Sequence, residues 1–141
     1  MPKWDEVSEG QSIPELKKNC STQQLVVWAA ASGDFYQIHY DDTFAKNTGL
    51  KSIIVHGALK NAFLGQLVHD WIGNEGRLVK YGCSYRGMDL PNEDIICKGT
   101  VKKKWQEDGQ NFVELELRSE MSQGRISVGP GAVLVTLPSR P

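Results

Sequence analysis

The sequence predicts an α+β fold, because one long helical segment is followed by several segments with the period of β-strands. The helix is predicted from Ala58 to Ile72, where apolar residues recur every three to five positions. Four strands follow, at Leu78 to Arg86, Asp94 to Trp105, Asn111 to Met121 and Ile126 to Leu137. We expect them to form an antiparallel meander with the helix laid across one face of the sheet.

The long helix has defined ends and one apolar face. His56-Gly57 precedes it, and the glycines of Gly73-Asn-Glu-Gly76 stop it. His69 is expected at its exposed end. The buried stripe is predicted to contain Leu59, Phe63, Leu67, Val68, Trp71 and Ile72.

Shorter elements are predicted before the long helix. Ser21-Thr-Gln-Gln24 has the form of a capping box and predicts a short buried helix from Leu25 to Ala31 that ends at Gly33. The polar segment after it is expected to be a loop with one helical turn around Asp42 to Asn47. The remaining predictions are a short strand near Ser12 to Lys17 and hairpin turns at Glu107 to Gln110 and at Ser122 to Gly124.

Length and composition exclude several classes of protein. A chain of 141 residues and 15.7 kDa is one domain of ordinary size, so residues 1–141 are expected to form a single domain. A formal charge of -1 gives no field to attract nucleic acid. No apolar run approaches the ~20 residues that a bilayer requires, and the N-terminal residues lack the layout of a signal peptide. We therefore expect a cytoplasmic protein that binds neither membranes nor nucleic acid.

The cysteines do not indicate a disulfide framework or a metal site. Cys20, Cys83 and Cys97 are an odd number at wide spacings, and no Cys/His pair has metal-ligand spacing. We expect them to be reduced and to serve as small hydrophobic residues. No metal and no redox cofactor are predicted.

A carboxylate and an imidazole lie five residues apart directly after the first helix. The turn at Gly33 can fold Asp34 and His39 toward one point, where they could activate a water molecule and exchange a proton with a carbon atom. Spacing alone leaves an alternative open, in which Asp34 caps a turn and His39 is a satisfied interior histidine.

The start of the long helix is a second candidate site. The N–H groups of its first turn, beginning with Gly57, have no partner within the helix, and the helix dipole adds positive charge there. A glycine lets a carbonyl group approach closely, so this point could stabilise an enolate oxygen. The alternative is that Gly57 only relieves packing where the helix meets the sheet.

The segment 31–58 closely resembles the hydratase motif of the MaoC-like dehydratases, which are (R)-specific enoyl-CoA hydratases of the hotdog fold. It reads A-S-G-D-F-Y-Q-I-H-Y-D-D-T-F-A-K-N-T-G-L-K-S-I-I-V-H-G-A. The family motif runs G-D-x-N-P-[IL]-H-x-D, then an aromatic-small pair, a glycine and [IV]-x-H-G. Matches fall at Gly33, Asp34, Ile38, His39, Asp41, Phe44, Ala45, Gly49, Ile54, His56 and Gly57.

The resemblance implies a fold and a reaction. An antiparallel sheet would wrap around the long central helix, as in other hotdog proteins. Asp34 would act as the base on the water that attacks C3 of a trans-2-enoyl thioester, while His39 holds this water and donates a proton to C2. The Gly57 N–H would bind the thioester oxygen. The product is an (R)-3-hydroxyacyl thioester, and the reverse reaction is a dehydration, so the protein is expected to be a hydro-lyase of fatty acid metabolism.

The chain also departs from the family pattern. Tyr36-Gln37 stands where the family has Asn-Pro, and Ala62 stands where some members have a serine. Tyr36 either supplies a hydroxyl to the site or only packs. The residues expected to contact the substrate are Tyr36, Ser52, His56, Arg86 and Lys103. The candidates for binding the phosphates of CoA or of an acyl carrier protein are Arg86, Lys102, Lys103 and Lys104.

The resemblance implies a dimer as the smallest unit, because hotdog sheets pair edge to edge. Asp70-Trp-Ile-Gly73 with Gly76 resembles subunits of long-chain and steroid acyl dehydratases, some of which are heterodimers. A homodimer and a heterodimer with a related hotdog subunit both stay open. Three alternative functions stay open: the chain could be the catalytic subunit of such a dehydratase, a hotdog thioesterase, or a non-catalytic acyl-binding subunit. No cofactor is expected beyond the CoA or acyl carrier of the substrate.

Overall fold

A computed structural model describes residues 1–141 and contains three α-helices and one five-stranded antiparallel sheet. The predicted α+β class is confirmed. Single 3-10 turns lie at Trp4–Glu6 and Gln37–His39. The helices are α1 (Thr22–Ser32), α2 (Asp42–Asn47) and α3 (Gly57–Ile72), and the strands are β1 (Leu16–Asn19), β2 (Arg77–Tyr85), β3 (Asp94–Glu107), β4 (Gln110–Glu120) and β5 (Ile126–Thr136).

The strand order differs from a simple meander. The order in the sheet is β1-β3-β4-β5-β2, so only β3, β4 and β5 are sequential neighbours. The prediction that all four strands after α3 form one meander is wrong, because residues 86–93 carry the chain away from β2 instead of turning back. Hydrogen bonds fix this connection: the Arg86 and Gly87 N–H groups donate to Ser127 O, and Val55 N–H donates to Asp89 O.

The first strand is also shifted from its predicted position. Ser12 forms only an isolated bridge to Thr100, and the continuous strand β1 begins at Leu16. Pro14 lacks an N–H group for the ladder, which explains the interruption between the two. The N-terminal segment therefore follows β3 in two separate pieces.

Helix α1 has the predicted cap but lies on the surface. The Ser21 side chain accepts a hydrogen bond from Gln24 N–H, and Gly33 ends the helix with a φ of 79°. Only Leu25 and Ala29 are buried, so the prediction of a buried helix is wrong over most of its length. A single chain covers one face of this helix and leaves the valines at positions 26 and 27 exposed.

Helix α3 supplies one side of the core, and the sheet supplies the other. All six residues of the predicted apolar stripe are buried, together with Leu64 and, unexpectedly, Lys60. His69 is exposed, as predicted. No helix combines the length and the apolar character that crossing a lipid bilayer requires.

The three cysteines are free thiols, as predicted. Cys20 and Cys97 are buried in the core cluster, and Cys83 is half-buried. Burial raises the pKa of the Cys97 thiol to about 12, which suppresses the reactive thiolate. Cys20 and Cys97 therefore serve as small core residues.

Candidate active site

The turn after α1 fixes the carboxylate of Asp34. Asp34 N–H donates to Ser32 Oγ (3.2 Å), and Asp34 Oδ1 accepts from Tyr36 N–H (3.3 Å). One carboxylate oxygen therefore does cap a turn, which was the alternative interpretation of this residue. The other oxygen, Oδ2, faces His39.

His39 is 7% exposed, and the loop before α3 orients its ring. Its Nδ1 lies 2.8 Å from the carbonyl oxygen of Ile54. Because a carbonyl only accepts, we assign a proton to Nδ1, which directs Nε2 toward the carboxylate. Ile54 N–H donates to Ile38 O (3.0 Å). The segment that carries Asp34 and His39, the candidate dyad, is therefore joined directly to the loop that leads into α3.

Asp34 Oδ2 and His39 Nε2 are 3.9 Å apart, and Asp34 is 47% exposed at its side chain. This distance exceeds that of a direct hydrogen bond. It fits a water molecule that contacts both atoms at normal hydrogen-bond length. The pair can therefore hold one water between an acid and a base.

His56 packs behind this pair. Its ring stacks on His39 with centroids 3.8 Å apart and an interplanar angle of 20°. Its Nε2 lies 3.2 Å from Asp34 O, to which it donates, and its Nδ1 is buried without a partner. Burial, followed by the nearby charge of His39, holds the pKa of His56 below its ordinary value. A neutral His56 thus fixes both members of the dyad.

Asp34, His39 and His56 bring one potential ligand atom each within 4.8 Å of the others. A metal ion would need lone pairs that converge on one point. The two imidazole rings are stacked, so their lone pairs lie in nearly parallel planes and do not meet at one point, and His56 Nε2 is already hydrogen-bonded to a carbonyl. The geometry suits an acid-base site better than a metal centre.

Gly57 is the first residue of α3, and Tyr85 covers one side of it. The first hydrogen bond of the helix runs from Lys60 N–H to His56 O (3.2 Å), so the Gly57 amide has no partner within the helix. A Cβ atom built on Gly57 would lie 3.2 Å from Tyr85 Cε1. Glycine therefore permits the close approach of the tyrosine ring to the helix start.

We expect the stability of the protein to decrease as the pH falls from about 7 toward 5.5, in part because of His56. Its pKa in the folded protein lies below 6.5, so the unfolded chain takes up a proton that the folded chain resists. His56→Gln keeps an amide donor for Asp34 O but does not titrate, and should give a shallower decrease. Urea denaturation at several pH values measures the slope, with His69→Gln as the exposed control. An unchanged slope in His56→Gln would show that this histidine is not responsible.

The chain brings only part of the predicted substrate-binding set to the dyad. Tyr36 lies edge-on to the His39 ring, with centroids 6.3 Å apart, and is 55% exposed. Arg86 follows Tyr85 and donates from Nε to Gly129 O (3.1 Å). Ser52 instead lies beside the Asp42 carboxylate, whose pKa is lowered first by Lys46 and then by the Ser52 hydroxyl.

Lys103 is not near the dyad within one chain. It pairs with Glu114 in the sheet, whereas Tyr85, whose ring packs against Gly57, pairs with Val128 and so lies at the level of Ser119. Five residues along a strand correspond to about 17 Å. Lys103 was predicted for the carrier phosphates, which lie far from the reacting carbons of a thioester, so a position remote from the dyad leaves this a prediction.

Two surface clefts flank the fold. The larger, about 620 Å³, lies against β2, β4 and β5 and is lined by Gly82, Glu116 and Ala132 among others, away from the dyad. The second, about 470 Å³, is lined by Ile54 and Met88 next to the site, and by Lys51, Arg125 and Glu93. Lys51 and Arg125 are exposed and form no ion pair. Sequence reasoning did not find these two cations, because they come from separate loops.

An antiparallel sheet packed around one long helix defines a hotdog protein, and here the Asp34–His39 pair is bonded to the loop that leads into this helix. The chain matches the family model of the MaoC like domain over residues 6–122 and belongs to this family.

Solved structures share the fold over almost the whole chain. The (R)-hydratase from A. caviae involved in PHA biosynthesis is 25% identical, with a TM-score of 0.84 over 94% of this chain and 98% of that one. R-hydratase PhaJ1 from Pseudomonas aeruginosa is 22% identical, with a TM-score of 0.87 over 98% of this chain and 86% of that one. The ChsH1-ChsH2 complex from Mycobacterium tuberculosis gives a TM-score of 0.79 at 22% identity, over 92% of this chain and 98% of that one.

A curated relative is much longer. The fatty acid synthase beta subunit TOXC of Cochliobolus carbonum is 30% identical over 116 residues, which is 81% of this chain. The chain spans only about 6% of the length of that protein.

Proposed function

We propose that this protein is an (R)-specific hydratase or dehydratase that acts on trans-2-enoyl and 3-hydroxyacyl thioesters. The observation that carries the proposal is the 3.9 Å separation of Asp34 Oδ2 and His39 Nε2 beside the start of α3. The similarity to (R)-hydratases supports the same reaction class.

The dyad would supply one proton acceptor and one proton donor. Asp34 Oδ2 accepts a proton from water as the water oxygen forms its bond to C3, and the C2–C3 π electrons move toward the thioester carbonyl. His39, as an imidazolium held by Ile54 O, donates its Nε2 proton to C2. Transfer of a proton from Asp34 to His39 then restores the starting charges. One water molecule is consumed, and no redox cofactor is required.

The start of α3 would stabilise the charge on the thioester oxygen. The Gly57 N–H is unpartnered within the helix and lies at the positive end of a 16-residue helix dipole. Donors of this kind lower the barrier when they face the position of the oxyanion. Ile54 lies in the loop before Gly57 and is hydrogen-bonded to Ile38 and His39. The dyad and the Gly57 amide are therefore linked and can act on one substrate.

The carrier phosphates would bind at the cleft lined by Lys51 and Arg125. Lys51→Gln and Arg125→Gln should each raise the KM for a CoA thioester by roughly threefold to tenfold, because a charge-assisted hydrogen bond is lost. The KM for an N-acetylcysteamine thioester, which lacks the phosphates, should not change. Steady-state kinetics with both substrates measure this difference, with the exposed Lys17→Gln on β1 as the remote control. Equal changes for both substrates would place the phosphates elsewhere.

A second hotdog chain would complete the acyl site. Strand β2 is an open edge of the sheet, and exposed apolar side chains lie near the dyad. Either a second copy of this chain or a related hotdog subunit can pair with this edge. The exposed residues are Phe35, Tyr36, Tyr40, Tyr85 and Met88.

The proposal is tested with enoyl-CoA substrates of increasing chain length. Loss of the conjugated thioester absorbance, with an (R)-3-hydroxyacyl-CoA product, is the expected result. The oligomeric mass should be measured in parallel, and candidate partner subunits should be added. A wild-type protein that is inert toward every chain length in all combinations would refute the proposal. Release of free CoA from a saturated acyl-CoA would instead indicate a thioesterase.

A further inference from the structure

A fully buried ionic cluster lies next to the candidate oxyanion site. Lys60, Asp89 and Ser127 are 2%, 3% and 0% exposed. Lys60 Nζ donates to Asp89 Oδ2 (2.8 Å), Ser127 Oγ (2.8 Å) and Gly87 O (2.7 Å). The Ser127 hydroxyl donates in turn to Asp89 Oδ2.

This cluster is closed to the substrate. An ammonium group has three N–H donors, and all three of those on Lys60 are used. Neither Lys60 nor Asp89 is accessible to a ligand. Any effect of the cluster on the reaction must therefore act through the groups it holds.

The cluster holds the segment that contains Gly57 from both sides. Val55 N–H donates to the backbone oxygen of Asp89 (2.8 Å), two residues before Gly57. Lys60 binds the carboxylate of the same residue, three residues after Gly57. Asp89 thus fixes both ends of the short segment that carries the unpartnered amide.

The same cluster fixes the wall opposite this amide. Arg86 and Gly87 donate their N–H groups to Ser127 O at 2.8 and 2.9 Å. The neighbouring residue, Tyr85, is the one whose ring packs against Gly57. The position of the tyrosine ring relative to the helix start therefore depends on Arg86 and Gly87, which are hydrogen-bonded to Ser127 and, for Gly87, to Lys60.

Stability alone does not account for charged residues at these buried positions. A cation in the first turn of α3 opposes the helix dipole, and a buried ion pair often stabilises no more than apolar residues of similar size. We propose that Lys60, Asp89 and Ser127 are positioning residues that fix the Gly57 amide and the Tyr85 ring for the thioester oxygen. This inference rests on the proposed function.

The test uses a variant that removes both charges at once. Lys60→Met with Asp89→Asn keeps side-chain volume and leaves no unpaired buried charge. We expect kcat for enoyl-CoA hydration to fall between about 10- and 100-fold, because small displacements of positioned groups have effects of this size. The KM should change less than about threefold, since an oxyanion donor acts mainly in the transition state. Amide hydrogen exchange in residues 55–61 should become faster.

The controls separate positioning from a general loss of charge. The pair Lys98 and Glu120, 2.8 Å apart on β3 and β4, forms its other ion pairs with Glu15 and Arg118 and none with the cluster or the dyad. Lys98→Met with Glu120→Gln should leave kcat and the exchange of residues 55–61 unchanged. Ser127→Ala keeps the ion pair, and should lower kcat in the same direction by a smaller factor, which supplies a test if the double variant does not fold.

The outcomes distinguish this inference from the proposed function. If the wild-type protein hydrates no enoyl thioester, the proposed function fails, and hydrogen exchange still tests whether the cluster fixes residues 55–61. If the folded double variant and Ser127→Ala keep wild-type kcat and exchange rates, the positioning role is overturned. A similar loss of kcat in the Lys98 and Glu120 control would also overturn it.

Discussion

Asp34→Asn and His39→Gln should each lower turnover of an enoyl thioester by a factor of ~100 or more while the fold stays intact. The Asp34→Asn variant would keep the hydrogen bond to Tyr36 N–H but would lose the base at Oδ2. The His39→Gln variant would keep a polar group near Ile54 O but could not donate a proton to C2. Initial rates from the loss of thioester absorbance measure the effect, and circular dichroism checks the fold.

Matched controls exist on the exposed end of α3. Asp70→Asn and His69→Gln make the same chemical changes at exposed positions outside the site. They should retain wild-type turnover. Full activity in either dyad variant would mean that the proton-transfer groups have been misassigned.

Lys60→Met alone, or Asp89→Asn alone, should produce the largest loss of stability in this protein, about 3–5 kcal/mol of unfolding free energy. Each substitution leaves its partner as an unpaired buried charge, because both side chains are at most 3% exposed. The combined variant removes both charges and should be more stable than the sum of the single effects predicts. Denaturant titration of all four proteins closes this double-mutant cycle.

The surface pair Lys46 and Asp42 provides the comparison for this cycle. Both side chains are at least 50% exposed, so solvent screens their attraction. Lys46→Met should leave the unfolding transition within experimental scatter. Additive single effects at Lys60 and Asp89 would contradict the presence of a closed ionic cluster.

The sequence predicts the elements of this fold better than their arrangement. Periodicity and the flanking glycines identify α3 and its buried stripe, because these signals are local. The position of β2 beside β5 depends on the hydrogen bonds that Arg86 and Gly87 donate to Ser127 O and that Val55 donates to Asp89 O, and no local pattern encodes such distant contacts. The exposed side of α1 was not predicted for a related reason. An apolar run predicts that a helix is buried, but it does not show which element covers each face of the helix.

The site was predictable to the extent that it lies in one motif. Asp34 and His39 lie 3.9 Å apart, and Gly57 follows His56, whose ring stacks on His39. Spacing alone left an alternative open for these residues, and the match to the family motif over residues 31–58 selected them. Lys60 was missed, although it lies at helical spacing from buried Leu64 and Val68, because a lone lysine usually faces solvent. Its partners, Asp89 and Ser127, are 29 and 67 residues away.

A crystal structure of the assembled protein with bound (R)-3-hydroxyacyl-CoA would show directly whether the dyad and the helix start act on one substrate. We expect the C3 hydroxyl within hydrogen-bond distance of both Asp34 Oδ2 and His39 Nε2, and the thioester oxygen about 3 Å from the Gly57 nitrogen. A product bound with its hydroxyl remote from both side chains, or with its thioester oxygen on a different donor, would rule out this arrangement.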